Sequence, residues 1–89
     1  MEFPQEVTDD LTKRLRRVEG QIRGIQAMLE DGRECRDVVT QLSAATRALE
    51  SAGFRLVAAG LAYCVEHPEA AAETGYDVGE LEKLFLKLG

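Results

Sequence analysis

Tryptophan is absent, and histidine occurs once in 89 residues, as His67. Aromatic residues make up 6% of the chain, proline is limited to Pro4 and Pro68, and cysteine to Cys35 and Cys64. One histidine and two cysteines are too few for a closed four-ligand zinc site within one chain. Thiol catalysis needs a base positioned against the nucleophile, and a lone histidine beside a proline does not supply one, so no enzymatic activity is expected. No long apolar run marks a membrane span, and no apolar segment near Met1 marks secretion. The opening MEFPQEVTDD is acidic, and residues 1–8 are expected to form a loose tail ahead of a single domain over residues 9–89. The expected location is cytoplasmic. Thiols stay reduced there, so a cysteine pair points to metal binding or redox sensing before a structural disulfide.

What the chain does have is unevenly placed charge. The net charge of −5 argues against a simple nucleic-acid binder. Residues 11–24, however, carry Lys13, Arg14, Arg16, Arg17 and Arg23 against Glu19 alone, a balance of +4. A basic block inside an acidic protein is a local field that the total conceals. The competing reading is an ordinary solvated helix face.

The long gap between the two prolines favours helix. Leu11, Leu15, Val18, Ile22, Ile25 and Leu29 recur at steps of four and three, the signature of one apolar seam. Thr8 or Asp9 is the expected cap of this first helix, and Asp31-Gly32 the expected stop. A second helix is expected over about Glu34 to Glu66, ending before Pro68. Cys35, Val39, Leu42, Leu49, Gly53 and Leu56 lie on one stripe of it, with Val38, Ala45, Ala52 and Ala59 beside them. After the connector PEAAAETG, Asp77 and Glu80 have capping-box spacing ahead of a short third helix. The expected class is all-α, with three helices per chain assembled as an oligomeric bundle.

Both cysteines fall on the second helix, 29 residues and about 43 Å apart at 1.5 Å per residue. They cannot meet within it, because a disulfide needs Cα atoms within about 7 Å. Two copies of the helix packed antiparallel would set Cys35 of one chain beside Cys64 of the other, twice per dimer. Two buried small hydrophobes is the plainer reading of the same pair.

The stretches RLRRVEGQIRGI, LEDGRECRDVVTQLSAATRAL and LAYCV resemble the CsoR/RcnR family of bacterial metal- and sulfur-sensing repressors. The likeness covers residues 11–88. It implies an antiparallel four-helix-bundle dimer that pairs into a tetramer, binds operator double-stranded DNA, and lets go when an inducer reaches the inter-subunit thiols. Copper-sensing members carry a histidine four residues before the second cysteine, where this chain has Gly60. Nickel- and cobalt-sensing members use several histidines, and formaldehyde-sensing members lack the second cysteine. The remaining resemblance is to the CstR-like branch, which implies sensing of persulfide or polysulfide by Cys35 and Cys64 with no metal cofactor. Cu(I) held by Cys35 and Cys64, with His67 one turn further on, is the alternative. For DNA the resemblance implies Arg14 as a contact, extended by Lys13, Arg16, Arg17 and Arg23, with Arg47 and Arg55 on the second helix; many members carry an arginine where Ser51 stands. A helical interaction module that does not bind DNA is the second alternative.

Overall fold

The computed structural model describes all 89 residues, as four helices and no strand. Helix α1 spans Gln5–Glu30, α2 Cys35–Glu66, α3 Pro68–Glu73 and α4 Val78–Lys87. The expected three helices become four because the connector itself winds into α3, with Pro68 in its first turn, where a missing N–H costs nothing.

Helix α1 starts before the expected Thr8 or Asp9 cap. Pro4 is its N-cap residue, no side chain caps it, and the amides of Val7 and Thr8 both bond to the Pro4 carbonyl. Residues 5–8, expected to belong to a loose tail, are therefore helical. Met1 and Phe3 help line an apolar cavity of about 360 Å3 with Leu56, Val57, Leu81 and Leu88. Apolar side chains at positions 1 and 3, hidden inside a short acidic segment, account for this docking.

The stops fall where expected. Gly32 has φ 68°, a left-handed conformation open to glycine, and the Arg33 amide reaches back to the Met28 carbonyl. Asp77 caps α4, its Oδ1 accepting from the Glu80 amide at 2.7 Å.

Helix α2 is the spine against which α1, α3 and α4 each pack. The molecule is narrow, 54 × 25 × 14 Å, with a radius of gyration of 16.8 Å. A compact domain of this length would have about 12 Å.

Each long helix carries two heptad seams, and only one is closed within the chain. Val18 and Ile25 of α1 are buried, as are Val38, Ala45 and Ala52 of α2. Leu15, Ile22 and Leu29, and on α2 Val39, Leu42, Leu49 and Leu56, lie exposed; Leu49 keeps 52% of its surface. The α2 stripe with Val39, Leu42, Leu49 and Leu56 thus faces outward, and the small-residue stripe beside it makes the hairpin. Alanines allow close approach of α1 to α2, which turns the leucines away. The outer seam is a shallow apolar groove lined by Leu11, Leu15, Leu49, Leu56 and Leu88.

Helix α2 is also long and apolar enough to cross a membrane, with a window of mean hydropathy 1.3, where no such run is expected from the sequence. Its apolarity comes from carrying both seams. Arg47, Glu50 and Arg55 along its middle would be costly in hydrocarbon.

Candidate functional site

Cys35 is the first residue of α2 and is exposed; Cys64 lies in its last turn and keeps 4% of its surface. One unbroken helix holds them about 43 Å apart, so they cannot react with each other within a chain. Cys64 packs with Val57, Ala71 and Leu81, and its other side meets a hollow of about 350 Å3 bounded by Pro68, Tyr76, Asp77 and Val78. Helices α3 and α4 thus form a cup around one thiol, while the other thiol stands at the far end of the rod.

Gly60, one turn before Cys64, is buried. A Cβ there would come within 2.6 Å of Leu81 Cδ1 and 3.9 Å of Met1 Sδ. Leu81 therefore fills the space that a side chain at residue 60 would need. His67 is exposed and joins two helices. Its amide bonds to the Tyr63 carbonyl, its carbonyl accepts from the Ala71 amide, and its ring lies 5.3 Å from that of Tyr63. It forms the elbow between α2 and α3. Within a single chain, no three of the His, Cys, Asp and Glu side chains gather as a metal cage.

The basic residues divide into two sets. Arg14 Nε donates to both oxygens of Asp10, at 3.3 and 3.2 Å, and Arg55 Nη1 of α2 lies 3.9 Å from the same carboxylate. Arg14 and Arg55 are thereby brought together across the two helices. At about 100° per residue, Arg16 and Arg23 point well over 120° away from buried Val18, and Lys13 and Arg17 lie between them and Arg14. These four are exposed on the back of α1 and join none of the ion pairs. Arg47 donates to Ser43 Oγ at 2.9 Å and shares an open hollow with Ser51 and Arg55. Gln21 of α1 has its carboxamide oxygen buried with no partner.

The metal-sensitive transcriptional repressor family model matches residues 7–87. The chain belongs to this family. That membership weighs against the reading of a helical interaction module that does not bind DNA. Among relatives of this repressor, the copper-sensing transcriptional repressor RicR of Mycobacterium tuberculosis is 48% identical over 69 residues, which is 78% of this chain and 72% of RicR. The copper-sensing transcriptional repressor CsoR of Bacillus subtilis is 35% identical over 79 residues, 89% of this chain and 78% of CsoR. The crystal structure of the copper-sensing repressor CsoR with Cu(I) from Geobacillus thermodenitrificans matches with a TM-score of 0.75 at 34% identity, covering 99% of this repressor and 88% of that chain.

Proposed function

We propose that this repressor binds operator DNA in the cytoplasm as an antiparallel homodimer, pairing further into a tetramer, and is released by Cu(I) held between Cys35 of one protomer and the partner's Cys64. The observation that carries the reading is the placement of the thiols at opposite ends of one straight helix whose leucine seam lies open. A second copy laid head to foot covers Leu42, Leu49 and Leu56 and brings each Cys35 to a Cys64 cup. Two thiolates are soft donors that suit Cu(I), and the named copper-sensing relatives favour that ion as inducer. Operator contact falls to Arg14 and Arg55, with Lys13, Arg16, Arg17, Arg23 and Arg47 adding phosphate attraction.

One observation favours a second inducer. The Gly60–Leu81 packing leaves no third donor at residue 60. A dithiol lacking that donor suits persulfide or polysulfide chemistry. One thiolate takes the sulfane sulfur of a donor persulfide, releasing the donor thiolate. The second thiolate then displaces hydrosulfide and leaves a disulfide across the subunits.

Operator binding by reduced protein, followed by fluorescence anisotropy, separates the two. Buffered Cu(I), added without oxygen, is expected to release DNA at one ion per protomer, and a Cu(I) chelator is expected to restore the complex. If copper leaves the complex intact while polysulfide dissolves it and adds sulfur to Cys35 and Cys64 by mass spectrometry, the sulfur reading replaces the copper one.

A further inference from the structure

We propose that Asp10 is an internal rival for DNA phosphate, an acid built into the operator face that must be displaced before Arg14 and Arg55 can grip the duplex. The inference rests on the reading of Arg14 and Arg55 as operator contacts. Asp10 presents both carboxylate oxygens to Arg14 Nε, at 3.3 and 3.2 Å, while its Oδ2 faces Arg55 Nη1 at 3.9 Å. One acid therefore holds a guanidinium from α1 and a guanidinium from α2. Carboxylate and phosphate offer a guanidinium similar paired oxygens, so one can take the other's place.

Three details single out this acid. Of the seven basic residues proposed for DNA, Arg14 and Arg55 alone pair with an acid, and it is the same one. Its neighbour Asp9 is engaged elsewhere, its Oδ1 accepting from Gln5 Nε2 at 2.9 Å. All three partners are open to solvent, with side-chain exposures of 33% for Arg14, 48% for Asp10 and 54% for Arg55, so a phosphate can reach them. The pair is ready to let go, because exposed ion pairs are weak.

Such a rival lowers binding to any duplex. The loss equals the energy of the ion pair wherever it is displaced, so operator and random duplex both lose up to that amount.

The test compares Asp10→Asn with Asp9→Asn, which removes the same charge one residue away. Anisotropy with operator and with random duplex is read at several salt concentrations. Asp10→Asn is expected to bind operator up to about fivefold more tightly than the parent, with a gain on random duplex no larger than that. Asp9→Asn is expected to gain much less on operator. Equal gains in the two variants would assign the effect to net charge and overturn the proposal. Weaker binding by Asp10→Asn also overturns it, because Asp10 would then be orienting Arg14 for DNA. Arg14→Ala separates the levels. If it binds as tightly as the parent, the operator-face reading fails and this inference with it. If it weakens binding while Asp10→Asn changes nothing, the inference alone fails.

Discussion

Leu81 of α4 occupies the space beside Gly60 of α2, with its Cδ1 only 2.6 Å from where a Cβ at residue 60 would stand. The pair locks the short last helix onto the turn that precedes Cys64. It also decides what can be added there. Gly60→His is expected to lower the melting temperature without raising Cu(I) affinity, since the imidazole has no room. Gly60→His combined with Leu81→Ala clears the space and is expected to bind Cu(I) roughly tenfold more tightly, as a third donor would allow. Competition against a chelator measures both, and equal affinities would contradict the packing argument.

The open leucine seam predicts what holds the assembly together. Leu49→Asp places a charge at the centre of the outer stripe and leaves the Val38–Ala45–Ala52 seam untouched. Analytical ultracentrifugation is expected to show dissociation to monomer, with operator binding lost at the same time. A variant that stays assembled would mean that another face joins the chains.

The two thiols differ in what they cost the fold. Cys35→Ser changes an exposed residue and is expected to bind operator normally while ignoring the inducer. Cys64→Ser sets a hydroxyl among Val57, Ala71 and Leu81, a loss of about 1–3 kcal/mol unless a new hydrogen bond forms. It is expected to be equally unresponsive and measurably less stable in urea. Release of DNA from either variant at the parent's inducer concentration would dismiss the paired-thiol site.

Helix α4 depends on its cap. Asp77→Ala removes the acceptor for the Glu80 amide and is expected to cost about 1 kcal/mol. For a chain of this size that lowers the midpoint of thermal unfolding by about 4–8 °C, followed by circular dichroism. Because α4 carries Leu81, inducer affinity is expected to weaken as well.

Local signals in the sequence were reliable where a single residue decides the backbone. Gly32 and Asp77 act as read, one by its positive φ and one by its side-chain bond. The start of α1 was hidden because Pro4 and the residues after it lack a side-chain cap, while Thr8 and Asp9 offered a misleading one. Periodicity revealed that α1 and α2 carry apolar stripes but not which stripe meets which. Both stripes of α2 are apolar, and the alanines took the hairpin interior because they let the two backbones come close. The separation of Cys35 and Cys64 followed from counting along one helix. The link from Arg14 through Asp10 to Arg55 did not, since it depends on the register between two helices that no spacing records. Burial of the Gln21 oxygen needed that register too.

The narrow shape, with a radius of gyration of 16.8 Å, ties this repressor's integrity to its own abundance. A hairpin that leaves a leucine row wet gains much of its folding energy from meeting a twin, so folding and association share one equilibrium. Its melting temperature is expected to rise with concentration, and a fall in copy number is expected to cost folded repressor faster than in proportion. Dilution is then expected to act on the same genes as the proposed inducer, by emptying operators of a protein that has come apart.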